Sequence, residues 1–239
     1  MIVFGIDACC MAATAALLDD TRLLAQTVVN HRQTHSQKLM PQIEAMFAAC
    51  EITVADVDCF AAAVGPGSFT GVRIGVATAK ALAQAYQKPC AAVSTLQALA
   101  NNNALFDGIV CPIQDARRNQ VYNALFRGGD ALERICEDRA LALSDLLEEL
   151  KQKDAPVLFC GDGTFSFRGE IESALGSRAR FAQRMQNMNL AASVAEIGFE
   201  KMLAGDTVSY DALSPQYLRL SQAERERMEK LRKETEEQQ

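Results

Sequence analysis

The predicted order of strands and helices occurs twice along the chain, and this repetition constrains the fold more than any single motif. Three short apolar runs separated by turn residues predict an antiparallel meander. After the meander, predicted helices and strands alternate. The first set of elements comprises strands over 2–7, 12–18 and 23–29, a helix over 36–50, a strand over 59–64, a helix over 71–86, a strand over 90–93 and a helix over 95–100. This βββαβαβα order is typical of an α/β domain.

The second set begins after the polar interruption at Asn101-Asn102-Asn103. It comprises strands over 109–114, 120–126 and 131–139, a helix over 144–153, a strand over 157–160, a helix over 165–175, a strand over 180–182 and a helix over 189–203. We therefore predict a duplicated fold with domains over 1–103 and 104–220. The last helix is a candidate to pack back on the first domain. Residues 221–239 are almost entirely charged or Gln, which predicts a solvated helical extension or a disordered tail.

Composition limits where the protein works and what it binds. No apolar run approaches the roughly 18 to 20 residues of a membrane span, and the first residues have no basic region typical of a signal peptide. The eight cysteines contain no Cys-x-x-Cys pair, which favours buried thiols in a reducing cytoplasm. The net charge of −6 argues against tight binding of nucleic acid by this chain alone.

A glycine-rich turn joins the predicted strand over 59–64 to the helix that follows. Its backbone N–H groups, at the positive end of the helix dipole, predict an anion site. The candidate anion or nucleotide contacts in this segment are Gly65, Gly67, Ser68, Thr70 and Arg73. The alternative is that the glycines only permit a tight turn. The turn lacks the Gly-Lys-Ser/Thr ending of a P-loop and the spacing of a dinucleotide motif, so it does not identify a ligand.

The helix after this turn carries very small side chains every four residues, at Gly71, Gly75, Ala79 and Ala83. Positions four apart lie on one face of a helix, so these residues form a smooth stripe. Glycine within a helix costs about 1 kcal/mol relative to alanine, which calls for a compensating close contact. That contact is either with the chain's own sheet or with a helix of a partner, and the pattern does not distinguish them.

Few residues are candidates for catalysis. Asp7 ends the first strand and is either a turn carboxylate or a group that holds a metal-bound phosphate. Asp115 ends the corresponding strand of the second set, and Arg117 beside it is a further candidate anion contact. The two histidines, His31 and His35, are too few for a metal site. No other histidine is present for a Ser-His-Asp triad, so hydrolysis of that kind is not predicted.

The segment from Gly65 to Gly75, Gly-Pro-Gly-Ser-Phe-Thr-Gly-Val-Arg-Ile-Gly, resembles a signature of the TsaB (YeaZ) family of bacterial tRNA threonylcarbamoyladenosine synthesis. Further similar segments are Ile6-Asp7, His35-Ser36-Gln37, Leu39-Met40-Pro41, Val93-Ser94-Thr95-Leu96, Asp115-Ala116-Arg117 with Val121-Tyr122, and Pro215-Gln216-Tyr217-Leu218-Arg219. Together they extend the resemblance to about residue 219. The segment Ala8-Cys9 departs from it, because the family usually has Thr and a small polar residue there.

The resemblance implies the fold of actin, sugar kinases and Hsp-type chaperones, which consists of two RNase H-like domains. It implies a subunit without catalytic activity or cofactor of its own, which binds a TsaD-type transferase through helices of its first domain. A TsaE-type ATPase, ATP or ADP, and Mg²⁺ belong to the complex, tRNA is contacted through it, and the free subunit forms a homodimer. The predicted interface residues are Ser36, Leu39, Ile43, Gly71, Val72, Gly75, Ala79 and Ala83.

Two other functions stay open at this point. One is an ATP-dependent phosphotransferase or ATPase of the same fold, which would use Asp7 and the turn over 65–71. The other is a glycoprotease, for which the chain lacks a His and nucleophile arrangement. Nucleotide turnover by the purified chain separates the first alternative from a scaffold subunit.

Overall fold

A computed structural model describes residues 1–30 and 35–219 of the chain. The first part of the chain forms a five-stranded sheet in the spatial order β3-β2-β1-β4-β5. Its elements are β1 (Ile2–Asp7), β2 (Ala13–Asp19), β3 (Leu23–Val29), α1 (His35–Ala49), β4 (Cys59–Gly65), α2 (Phe69–Ala85), β5 (Cys90–Ser94) and α3 (Thr95–Asn101). The first three strands are antiparallel, whereas β4 and β5 run parallel to β1.

A second five-stranded sheet follows, in the order β10-β9-β6-β7-β8. Its elements are β6 (Gly108–Asp115), β7 (Gln120–Gly128), β8 (Glu133–Ala142), α4 (Leu143–Lys151), β9 (Val157–Cys160), α5 (Gly163–Leu175), β10 (Ala179–Phe181) and α6 (Ala191–Leu203). The meander β6-β7-β8 occupies the place of β1-β2-β3, and β9 and β10 occupy those of β4 and β5. This topology confirms the predicted duplication.

The predicted helix over 71–86 begins earlier, at Phe69, because Ser68 caps it. The Ser68 hydroxyl accepts a hydrogen bond from the Gly71 amide at 3.3 Å, which satisfies one of the amide groups that a helix start leaves without a partner. The glycine-rich turn is therefore shorter than predicted.

Helix α6 belongs by sequence to the second set of elements but packs on the first sheet. Where it crosses β1, a Cβ added at Gly5 would lie 2.4 Å from the Ala191 carbonyl oxygen. Where it crosses β4, a Cβ added at Gly198 would lie 2.4 Å from the Ala61 Cβ. Glycines on both the strand and the helix therefore permit this close packing.

Residues 208–219, which we call the C-terminal strap, run from β5 across α2 to the second sheet. The strap begins with paired backbone hydrogen bonds between Val208 and Cys90, both 2.8 Å. The Gln216 amide then donates to the Val64 carbonyl at 2.7 Å. Finally, Nη1 of Arg219 donates to the Ala116 carbonyl at 2.8 Å. The strap therefore links the turn after β4 to the turn after β6.

None of the eight cysteines forms a disulfide. Among the residues that the structure describes, no helix is both long enough and apolar enough to cross a lipid bilayer.

Candidate functional site

The carboxylate of Asp7 is fully buried at the end of β1. Its Oδ1 accepts a hydrogen bond from the Cys9 amide at 2.8 Å, and its Oδ2 accepts one from Nδ2 of Asn189 at 2.9 Å. Asn189 lies just before α6, so the segment leading into that helix covers Asp7. Both oxygens that would hold a metal ion or activate a water already have donors within the chain.

The end of β6 faces the loop that follows β1. Nε2 of Gln114, a buried residue, donates to Sγ of Cys10 at 2.9 Å. The next residue, Asp115, ends β6 as Asp7 ends β1, and its amide donates to Oδ1 of Asp162 at 3.1 Å. Burial raises the pKa of the Asp162 carboxyl. Contacts of the chain with itself therefore connect the end of β6 to the loop after β1 and to Asp162.

The glycine-rich turn packs against the same loop. The Ser68 amide donates to the Cys9 carbonyl at 2.6 Å. A Cβ added at Gly67 would lie 2.5 Å from that carbonyl oxygen, and Gly65 and Gly67 have positive φ values of 117° and 157°. The amides of Ser68 and Gly71, which an anion would require, already have acceptors within the chain, and Thr70 is exposed. These contacts favour the interpretation in which the glycines permit a tight turn.

The two oxygens of Asp7 that would hold a magnesium ion thus accept hydrogen bonds from the chain itself in this conformation. Burial also raises the pKa of the Cys9 thiol well above its ordinary value, with the nearby Asp7 carboxylate as the next cause. The thiol therefore stays protonated and is a poor nucleophile. In residues 1–30 and 35–219 no group of three or more His, Cys, Asp or Glu side chains is placed to hold a metal ion. His31 lies outside the described residues.

The small-residue stripe of α2 faces the chain's own core. A Cβ added at Gly71 would lie 1.9 Å from the Ala8 carbonyl oxygen, and one at Gly75 would lie 3.7 Å from the Ala8 Cβ. Ala79 and Ala83 are fully buried. The stripe is therefore a close contact within the chain, which corrects the prediction that it faces a partner.

The other predicted interface residues are corrected for the same reason. Leu39, Ile43 and Val72 are at most 2% exposed and belong to the core of the first sheet. The side chain of Ser36 lies outside the described residues. The apolar face of α1, which the resemblance assigns to a partner, instead covers β2 and β3.

The faces of α1 and α2 that point away from the core are exposed. The residues on them were not among the predicted interface residues. We call this surface the α1–α2 outer face. It consists of Met40, Glu44, Ala45 and Ala48 of α1, and of Ala77, Ala81 and Ala85 of α2. The last three residues form a second stripe with a four-residue period, on the side of α2 opposite to the buried stripe. The signal was therefore present in the sequence, as alanines at positions i, i+4 and i+8.

Arg73 lies at the N-terminal end of the α1–α2 outer face. The rings of Phe69 and Tyr217 stack with centroids 4.2 Å apart. The guanidinium carbon of Arg73 lies 4.2 Å from the Phe69 centroid, and its Nε donates to the Tyr217 hydroxyl at 2.8 Å. Arg73, predicted to contact an anion, thus rests on an aromatic pair that the C-terminal strap completes.

Arg117 lies in the turn between β6 and β7, with its side chain 87% exposed. Its Nη1 is 3.5 Å from Oδ2 of Asp115, the same side chain that accepts the Arg117 amide. The structure therefore does not bring Arg117 to Asp7, although the sequence analysis placed both among candidate anion contacts.

Comparison with known proteins identifies the family. Over 94% of its length the chain is 37% identical to a Bacillus subtilis (strain 168) protein named tRNA threonylcarbamoyladenosine biosynthesis protein TsaB, of which it covers 96%. The chain belongs to the TsaB family. It is also 28% identical to the TsaB protein of Escherichia coli (strain K12), over 92% of this chain and 95% of that one.

A broader family model, described as TsaD: tRNA N6-adenosine threonylcarbamoyltransferase, matches residues 22–227 of this TsaB family member. A tRNA N6-adenosine threonylcarbamoyltransferase of Erythrobacter litoralis (strain HTCC2594) is 34% identical over 44% of this chain and 36% of its own length. The chain is therefore related both to TsaB proteins and, over a shorter stretch, to transferases.

Solved structures confirm the fold predicted from the resemblance. YeaZ from Pseudomonas aeruginosa superposes with a TM-score of 0.73 at 22% identity, covering 91% of this chain and 99% of that one. A ROK hexokinase from Thermus thermophilus superposes with a TM-score of 0.51 at 11% identity, covering 84% and 100% of the two chains. The TsaB family member thus has the duplicated RNase H-like fold that sugar kinases share.

Proposed function

We propose that this protein is a non-catalytic scaffold subunit of tRNA threonylcarbamoyladenosine biosynthesis. In this proposal it binds and activates a TsaD-type transferase, which modifies the adenosine beside the anticodon of tRNAs that read ANN codons. The observation that carries the proposal is the buried Asp7 carboxylate, both of whose oxygens accept hydrogen bonds within the chain. A subunit whose candidate catalytic carboxylate is bonded in this way is expected to contribute through its surface.

The α1–α2 outer face is the surface that we assign to the transferase. Its alanines lose no side-chain entropy on binding and allow the backbone of a facing helix to approach closely. Glu44 is its single carboxylate, so a partner has little charge to desolvate there. The face is therefore suited to helix-on-helix packing.

The sequence similarity between this chain and TsaD-type proteins supports pairing through the α1–α2 outer face. The TsaD family model matches residues 22–227, which include α1 and α2. The corresponding helices of a TsaD-type protein can therefore meet these helices about a pseudo-two-fold axis, as identical subunits do. Two copies of this chain can use the same face, which accounts for a homodimer of the free subunit. Binding of the transferase and homodimer formation then exclude one another.

The remaining components are assigned to the complex. A TsaE-type ATPase joins the assembly, and we assign ATP or ADP with Mg²⁺ to the partner subunits, because both oxygens of Asp7 accept hydrogen bonds within this chain. The tRNA is held mainly by the assembled complex. The competing phosphotransferase or ATPase function would require the hydrogen bonds of Asp7 within the chain to break.

Reconstitution from purified components tests the proposal. We expect the chain alone to show no ATP turnover above background and no modification of an unmodified tRNA transcript. We expect the TsaD-type protein to depend on the chain for modification when threonylcarbamoyl-adenylate is supplied. ATP turnover by the chain alone that disappears in Asp7→Ala would instead support the phosphotransferase function. Full activity of the transferase without the chain would contradict the scaffold role.

A further inference from the structure

The turn between β6 and β7 holds three successive residues in the left-handed backbone region. Arg117, Arg118 and Asn119 have φ values of 64°, 55° and 57°. This conformation costs roughly 1 to 2 kcal/mol for each residue other than glycine, and less for asparagine. A turn without glycine at any of these positions is expensive, so its side chains are expected to have a use.

Several contacts from outside the turn hold it in place. The Arg117 amide donates to Oδ1 of Asp115 at 2.7 Å, and the Leu143 amide donates to the Asn119 carbonyl at 3.2 Å. Arg219 of the C-terminal strap donates to the Ala116 carbonyl. The result is a fixed turn that directs Arg117 and Arg118 into solvent, where both are exposed.

The strap connects this turn to the aromatic pair beside α2. Arg219 contacts the turn, and two residues before it Tyr217 accepts a hydrogen bond from Arg73 and stacks on Phe69. The strap therefore connects Arg73, through Tyr217 and Arg219, to the turn that carries Arg117 and Arg118. We call the surface formed by these four arginines the arginine ridge. Tyr217, with 41% of its surface exposed, lies within the ridge.

The ridge brings four arginines together on a chain whose net charge is −6. Asp115, which is paired with Arg117, and Asp162 behind it are the carboxylates in contact with the turn among the described residues. Arg118 forms no hydrogen bond or ion pair with any residue that the structure describes, and Arg73 uses only Nε for its bond to Tyr217. Guanidinium N–H groups at three places on the ridge therefore remain available to a ligand.

We propose that the arginine ridge binds the phosphate backbone of RNA, and that in the proposed complex it holds the substrate tRNA beside the transferase. Guanidinium groups bind phosphates bidentately, and an exposed ring among them provides a surface on which an unpaired base stacks. Arg73 lies one helical turn from Ala77 of the α1–α2 outer face, so RNA on the ridge would also be near the partner. The identity of the RNA as tRNA rests on the proposed function, whereas the recognition chemistry does not.

Salt dependence of RNA binding tests the ridge. The probe is an unmodified tRNA transcript that reads an ANN codon, titrated with the full-length chain by fluorescence anisotropy at several salt concentrations. Each phosphate contact adds about 0.7 to 0.9 to the slope of log K against log salt concentration. We expect the Arg117→Asn/Arg118→Asn variant to flatten this slope by about 1.5 and to weaken binding about tenfold at the lowest salt. Asparagine is chosen because it tolerates the left-handed backbone.

The matched control removes the same charge elsewhere. Arg22 and Arg127 are exposed and lie at the opposite ends of their sheets from the ridge. We expect the Arg22→Asn/Arg127→Asn variant to keep the wild-type slope and to bind within about twofold. Equal losses in the two variants would show an effect of net charge only and would overturn the proposal. Absence of wild-type binding at the lowest salt would also overturn it.

Binding of the TsaD-type protein by the same variants separates the two proposals. We expect the ridge variant to bind the transferase as the wild type does. A variant that loses the transferase but keeps RNA binding would show that the ridge contacts protein, which contradicts the inference. If no form of the chain binds the transferase while the ridge variant alone loses RNA, the proposed function fails and the ridge is supported.

Discussion

Ala81→Glu is expected to weaken binding of the TsaD-type transferase at least a hundredfold, with no loss of thermal stability. Ala81 lies in the middle of the exposed stripe of α2, between Ala77 and Ala85. Helix-on-helix packing over this stripe would bury the new carboxylate without a partner, which costs several kcal/mol. A hundredfold loss of affinity corresponds to about 2.7 kcal/mol. The isolated chain exposes the position, so its fold should tolerate glutamate.

Ser166→Glu provides the matched control for that variant. Ser166 is exposed on α5 of the second sheet, so the substitution adds the same charge to a helix surface away from the α1–α2 outer face. Affinity for the transferase is measured by titration calorimetry, and self-association of the free chain by analytical ultracentrifugation. Unchanged binding by Ala81→Glu, or equal losses in both variants, would show that the transferase binds elsewhere.

Alanine substitutions at the two glycines of the buried stripe are expected to have opposite effects on stability. At Gly71 the new Cβ would lie 1.9 Å from the Ala8 carbonyl oxygen, a backbone atom that cannot move without displacing the loop after β1. We expect a loss of about 3 kcal/mol. At Gly75 the new Cβ would lie 3.7 Å from Ala8, an ordinary contact. There the gain in helix propensity, up to about 1 kcal/mol, should dominate.

Thermal and denaturant unfolding of the two variants measure this difference directly. For a chain of this size a loss of 3 kcal/mol lowers the melting temperature by about 6 to 12 °C. Gly75→Ala is expected to melt at or slightly above the wild type. Two variants of equal stability would mean that the stripe does not pack on Ala8 as described, and the assignment of the buried and exposed faces of α2 would have to be reversed.

The fold was predictable from the sequence because its signals are local. Short apolar runs and the turn residues between them indicate the strands, and the repeated order of elements indicates the duplication. The segment Asn101-Asn102-Asn103 marks the place where the second set begins. The differences concern element ends, as at Gly163, where α5 starts two residues before the predicted helix.

The site was harder to predict because its decisive contacts are distant in sequence. Asn189, which hydrogen-bonds to Asp7, is 182 positions away from it in the sequence. Tyr217, which accepts a hydrogen bond from Arg73, is 144 positions away from that residue. The residues next to Asp7 in the sequence do not show that the Asn189 side chain hydrogen-bonds to its carboxylate. On α2, small residues form stripes on two opposite faces, and helical periodicity alone does not show which stripe faces the core. The close approach is at Gly71, where a Cβ would lie 1.9 Å from the Ala8 carbonyl oxygen.

The central claim is that this chain contributes a surface, and no reacting group, to threonylcarbamoylation of tRNA. The measurement that tests it most directly is the rate of modification by the reconstituted complex containing either Asp7→Asn or Ala81→Glu. The amide oxygen introduced by Asp7→Asn can still accept the hydrogen bond of the Cys9 amide, whereas its NH2 group would face the donor Nδ2 of Asn189, which costs stability. If Asp7 takes no part in the reaction, the assembled complex should still support modification within about twofold of the wild-type rate. Ala81→Glu should fail to bind the transferase, so modification of the tRNA should be lost with it. Loss of modification in Asp7→Asn, in a complex that still assembles, would contradict the claim.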